Sequence, residues 1–219
     1  MIIFIGDTRK KTFVEELQAR RIGRILQRDT INVGLNSLYY GERWAFDNGA
    51  FSDWNNGIET FDADKWKKAV EIVKRRTARP YFAVLPDLPA QGLESLNLSR
   101  SWAEWPPANW SWYLAVQDGQ SHKAVHQLVT DCPSIRGVFL GGTTEFKRNH
   151  APSWADFAHT HGLAFHYGRA STPRIMRHAK SIGADSCDTS FPLWEQQRFQ
   201  EFLDCYDCGY TSSQLQLFR

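Results

Sequence analysis

Apolar residues recur along this chain in short continuous runs, each followed by a longer stretch where they return every three or four positions. Short unbroken runs suit strands buried on both faces, and the three-to-four period suits helices with one face on a core. "IIFIG" (2–6) precedes "KKTFVEELQARR". "WAFDNGAF" precedes "DADKWKKAVEIVKRR", where Trp66, Ala69, Val70 and Val73 share a face. "YFAVLPD" (81–87) precedes a weaker helix from about Gln91 to Trp102, and "WYLAVQ" (112–117) precedes "SHKAVHQLVTDC". "GVFLGG" (137–142) leads to a helix around "PSWADFAHTHG". "AFHYG" (164–168) leads to "STPRIMRHAKSIG", with Ser171 as expected N-cap, Pro173 in the first turn and Gly183 as the stop. "DSCDTS" (185–190) leads to "PLWEQQRFQEFLDC".

Strands alternating with helices imply a parallel sheet with helical crossovers. Seven units are legible, and the irregular stretch 22–42 has room for an eighth, with "INVGLN" as its expected strand. The fold expected first is a (β/α)8 TIM barrel, trimmed because 219 residues fall below the roughly 250 that are typical. An open doubly wound parallel sheet is the alternative. No low-complexity linker divides the chain, so residues 1–219 are read as one domain.

Hydrophobic residues at 42% and charged residues at 23% are ordinary globular usage, and only the nine Trp stand out. A net charge of +2 does not mark a nucleic-acid binder by itself. The basic clusters at 9–11, at Arg20, Arg21, Arg24 and Arg28, and at 74–76 read first as solvated helix faces. Four irregularly spaced Cys suggest no disulfide framework, and no apolar stretch is long enough to span a bilayer. A cytoplasmic protein is expected (host cytoplasm if phage-encoded), with no membrane partner. Cys205 and Cys208 make half of a zinc ribbon at best, so no metal or other cofactor is expected.

In a parallel barrel, function gathers at the C-terminal ends of the strands. Those ends carry Asp47, Asp87, Gln117, Gly141 and Gly142, then His166, Tyr167 and Gly168, then Asp185 and Asp188. A carboxylate and an amide side by side read a purine-like edge by accepting from N–H groups and donating to a carbonyl. Two further aspartates divide covalent and proton-transfer work. Phe51 and Tyr167 are placed to sandwich a flat base, and Lys147, Arg148, Arg169 and Arg174 are candidates to hold a nucleic-acid backbone.

Bland readings compete. Asn48-Gly49 is a hairpin-turn signal. Asp185 reads as a cap or a partner of Asp188. The Trp-rich segment 102–112 reads as a packed corner stiffened by Pro106 and Pro107. His159 and His161, two apart on a helix, do not share a face with each other and so make a poor metal site with His166. Nothing marks Cys187 as a stabilised thiolate.

Taken together, these residues resemble the tRNA-guanine transglycosylases and their DNA-acting relatives. "DNGAFS" (47–52), "LPDLP" (85–89), "AVQDG" (115–119), "FLGG" (139–142) and "GADSCDTS" (183–190) follow that family's motif order. "HYGRAS" before "GADSCD" is similar to the smaller phage-type DNA 7-deazaguanine transglycosylases (DpdA-like). The resemblance spans about Trp44 to Ser190. It implies a barrel that exchanges guanine for a 7-deazaguanine base such as preQ0 or preQ1. Asp188 would be the nucleophile at the sugar C1′ and Asp47 the general base. Asp87 and Gln117 would read the purine edge, Gly141 and Gly142 would approach the 7-substituent, and Phe51, Tyr167 and Gly168 would complete the base site. The family's clustered zinc Cys and the P-T-R segment of its tRNA enzymes are missing here, which favours DNA over tRNA as polymer partner. The same exchange on tRNA is the near alternative; a metal-dependent barrel hydrolase and a non-catalytic nucleic-acid-binding barrel are the alternatives from other classes.

Overall fold

Eight strands pair in chain order and the last returns to the first. They are β1 (Ile2–Gly6), β2 (Gly23–Gln27), β3 (Trp44–Asp47), β4 (Ala83–Val84), β5 (Trp112–Val116), β6 (Ile135–Leu140), β7 (Ala164–Tyr167) and β8 (Ser186–Thr189). This computed structural model describes residues 1–76, 79–105 and 107–209. Every neighbouring pair is parallel, and β1 pairs with β8 from Ile2↔Ser186 to Ile5↔Thr189, so the sheet is a closed barrel and not an open one. The crossovers are α1 (Lys11–Arg20), α2 (Ile31–Asn36), α3 (Ala50–Asn55), α4 (Ala63–Lys74), α5 (Gly92–Trp102), α6 (His122–Asp131), α7 (Thr144–Thr160) and α8 (Pro173–Ser181), and α9 (Gln196–Asp207) follows β8.

The eighth strand lies in the expected stretch but is "GRILQ", while "INVGLN" is the short helix α2. Arg24 conceals the strand, because a charged residue interrupts its apolar run. Its guanidinium is fully buried and satisfied. It donates to Glu42 at 2.6 and 2.9 Å, to the carbonyls of Thr8 and Ser37 at 2.7 Å each, and to Ser37 Oγ at 3.0 Å. Arg24 and Arg28 are therefore core residues, not a solvated face.

Other boundaries shift for local reasons. Thr172, not Ser171, caps α8, its hydroxyl accepting from Ile175 N. Helix α7 starts eight residues before Pro152, because Thr143 caps it by accepting from Phe146 N. The Trp-rich corner is packed as expected: Trp102, Trp105 and Trp112 approach the ring of Trp66 at 5.6, 5.2 and 6.0 Å. Pro106 lies outside the described residues.

Two packed layers result. Outward-facing strand residues and the helices form the larger core. Inside the barrel, alternate residues Phe4, Ile25, Ala45, Phe82, Val84, Tyr113 and Ala115 form a second one. Phe82 and Tyr113 stack at 4.3 Å, and a Cβ on Gly137 would lie only 2.6 Å from the Tyr113 ring. Aromatic bulk thus plugs the barrel below, and open space is left at the C-terminal ends of the strands. No helix among the described residues is long and apolar enough to cross a membrane.

Candidate functional site

The space above the aromatic plug is a cavity of about 1170 Å³. Asp47, Asp87, Gln117, Gly141, Gly142, Gly168, Arg169, Asp188, Phe51 and Lys147 all line it. Strand alternation explains the convergence. In β8, Ser186 and Asp188 point inward while Cys187 points into the helix layer, where burial pushes its thiol up.

Asp188 is held by two groups. Its Oδ1 lies 3.0 Å from His166 Nε2 and accepts from the Arg169 backbone N–H at 2.9 Å. His166 is wholly buried, and its Nδ1 lies 2.8 Å from Ser186 Oγ. The ring is clamped between Phe139, stacked at 4.7 Å, and Phe82 at 4.8 Å. Sequence reasoning assigned His166 no part in the site beyond its strand-end position, although its i, i+2 relation to Gly168 places it on the inner face.

Asp47 ends β3 opposite Gln27. Burial, reinforced by the charge of Asp188, pushes its carboxyl up to about 7, and the Gly49 N–H at 3.4 Å offsets only part of this. Asp87 is also pushed up, to about 6, by burial. Asn48 donates to its Oδ1 at 2.7 Å and Gln117 to its Oδ2 at 2.5 Å, which offsets the burial in part. The Gln117 amide is oriented by Ala90 N, which donates to its Oε1 at 3.1 Å. Asp87 and Gln117 are thus one hydrogen-bonded unit. Asn48, 1% exposed, is its third member, and its Oδ1 also accepts from Ala50 N at the first residue of α3. The Asn-Gly pair therefore makes a strand-to-helix turn and no hairpin.

Gly141 is required by that unit. A Cβ there would lie 2.6 Å from Gln117 Nε2 and push the amide from Asp87. Gly142 has a φ of +77° and its Cβ would collide with Asp118 Oδ2, so it serves the turn into α7. Both glycines line the cavity.

Four expectations fall differently. Tyr167 does not line the cavity: it alternates with His166, so it faces the helix layer and packs 5.5 Å below Lys147 Nζ and 6.3 Å from His178. Lys147 is no surface phosphate contact. It is 5% exposed, its Nζ donates to Gly168 O at 2.8 Å, and burial, then Arg169, lowers its amine to about 8. Arg148 and Arg174 are exposed on α7 and α8 and do not line the cavity. Arg169 does line it, with a left-handed φ of 54° and its guanidinium stacked 3.6 Å from the Phe51 ring centroid.

Asp185 sits at the other end of the barrel, where it accepts from Phe165 N at 2.8 Å and meets His159 Nε2 at 3.2 Å. It is a cap, not a partner of Asp188. Among the described residues no group of three or more His, Cys, Asp or Glu is placed to hold a metal ion. Cys205 and Cys208 are free thiols, the first buried.

A closed ring of eight parallel strands, helices outside and a polar cavity at the strand C-termini, defines a (β/α)8 TIM barrel. No protein-family model and no curated protein matches the chain. Among solved structures it is similar to N-acetylneuraminate lyase of Proteus mirabilis, with a TM-score of 0.56 and 10% identity over 95% of this chain and 77% of that one. At that identity the likeness carries the fold.

Proposed function

We propose that this chain is a base-exchange glycosyltransferase that replaces guanine in DNA with a 7-deazaguanine through a covalent Asp188–sugar intermediate. One observation carries the reading: three carboxylates and an amide in three different settings line a single cavity large enough for a nucleoside. Asp188 is oriented by donors on one oxygen, Asp47 is set to exchange a proton near neutrality, and the Asp87–Gln117 unit offers an acceptor beside a donor.

In this reading an Asp188 carboxylate oxygen forms a bond to C1′ while the C1′–N9 bond breaks and its electron pair leaves with guanine. Protonated Asp47 returns a proton to the departing base. The incoming deazaguanine then loses its N9 proton to ionised Asp47 and attacks C1′, and the ester to Asp188 breaks. The net reaction exchanges one base for another and needs no redox partner. The test is release of labelled guanine from DNA in the presence of preQ0 or preQ1, with tRNA in competition. Asp188→Ala should abolish release, and a protein–DNA adduct should accumulate when the incoming base is withheld. Full release by Asp188→Ala would overturn the assignment, and release from tRNA alone would move the reaction to that polymer.

Lys147 favours one second reading. A buried amine lowered to about 8 beside a cavity is suited to imine formation with a carbonyl substrate, as in a lyase. Borohydride with candidate carbonyl compounds would then fix a stable adduct on Lys147.

A further inference from the structure

We infer that the rim of the cavity over β8, β1, β2 and β3 is a track for a single-stranded polynucleotide, with Trp194 and Trp54 as stacking platforms and Arg9 between them as a phosphate contact. The inference rests on the reading that the cavity takes a base from a polynucleotide, and it names the surface that holds the neighbouring nucleotides.

Both indoles are exposed, Trp54 at 43% and Trp194 at 57%, and both border the cavity. Trp54 belongs to α3, which follows β3, and Trp194 follows β8. Around the ring β8 neighbours β1, β1 neighbours β2, and β2 neighbours β3. Arg9 follows β1, is exposed and also borders the cavity, so it stands between the two platforms in ring order. Each platform is backed by the protein. Arg198 lies 4.8 Å from the Trp194 ring and 5.5 Å from Phe191, and Phe51 lies 5.7 Å from Trp54.

Charge supports the same occupant. Among the described residues one carboxylate pairs with Arg198, that of Glu195 at 3.8 Å, and Lys10 donates to Gln196. Asp7 borders the cavity but is turned inward, its side chain 14% exposed and 3.8 Å from buried Arg24. Exposed indoles interleaved with arginines fit bases that are already unstacked, because a duplex keeps its base faces covered. Arg148 and Arg174, on α7 and α8, take no part.

The test uses the full chain and a fluorescent all-thymine single strand of about a dozen nucleotides, which has no guanine to exchange. Binding should weaken roughly 5- to 100-fold in Trp54→Ala and in Trp194→Ala. Arg9→Ala should lower the slope of log affinity against log salt by about one. Tyr40→Ala, at a fully exposed position off the rim, should bind as the parent does. A duplex of matched length should bind more weakly than the single strand. Parent-like affinity in both Trp variants, or a preference for duplex, would overturn the track. Because the probe lacks guanine, that result would leave base exchange standing. Rim-dependent binding with no guanine release from any polymer would instead overturn the exchange and leave the track.

Discussion

His166 Nε2 lies 3.0 Å from Asp188 Oδ1, and the other nitrogen of the same ring meets Ser186 Oγ at 2.8 Å. The imidazole fixes which way the Asp188 carboxylate faces, and Ser186 fixes the imidazole. His166→Phe keeps the flat ring between Phe139 and Phe82 but removes both polar contacts. Leaving Asp188 and Ser186 short of partners costs about 1–3 kcal/mol. The expected outcome is a 10- to 100-fold slower single-turnover guanine release with a cooperative unfolding transition retained. His166→Gln, which can still donate toward Asp188, should recover part of that loss; an unchanged rate in His166→Phe would show that the contact does not position the carboxylate.

Asp47 gives stability a pH dependence of defined sign. Its carboxyl is raised from 3.8 to about 7 in the folded protein, so between these values the folded state holds a proton that the unfolded state has lost. Stability therefore falls as pH rises through that window, and Asp87, raised to about 6, adds to the fall. Asp47→Asn should melt at a higher temperature than the parent at about pH 8 and match it below about pH 4. The difference at high pH is on the order of a few kcal/mol. The same substitution should remove the rise in incoming-base attack through about pH 7. Thermal melts at the two pH values check the first outcome and a pH–rate profile the second.

Asp53 ties α3 to the end of β2. Both its oxygens accept from Arg28 Nη2 at 2.8 Å, and the Arg28 side chain is fully buried, with no partner for Nη1 among the described residues. Asp53→Ala leaves that charge held mainly by Asp29, so a loss of about 3 kcal/mol is expected by chemical denaturation. Arg28→Met with Asp53→Leu, which removes both charges together, should lose less than Asp53→Ala alone.

Strand and helix order was legible because buried parallel strands leave unbroken apolar runs, as in "WYLAVQ" and "GVFLGG". Arg24 broke that rule from inside a strand, and its partner Glu42 is 18 positions away, beyond the reach of local pattern. The inward set 47, 87, 117, 141, 168 and 188 followed from strand ends alone. Tyr167 was misplaced because its neighbours His166 and Gly168 both face inward, and period-two alternation turns the residue between them outward. Asn48 was hidden by its own turn signal. Lys147 lies in the first turns of α7, and only the path of that helix brings its amine back over Gly168.

The ladder that seals the ring pairs Phe4 with Asp188, joining the opening residues of the chain to its final strand. A nascent chain has most of the cavity wall before residue 188 has been made, but not the carboxylate whose charge acts on Asp47. Placement of the Asp188 carboxylate and completion of the hoop are therefore one event. Any lesion that unzips this seam takes Asp188 out of the cavity wall at the same moment as it opens the barrel.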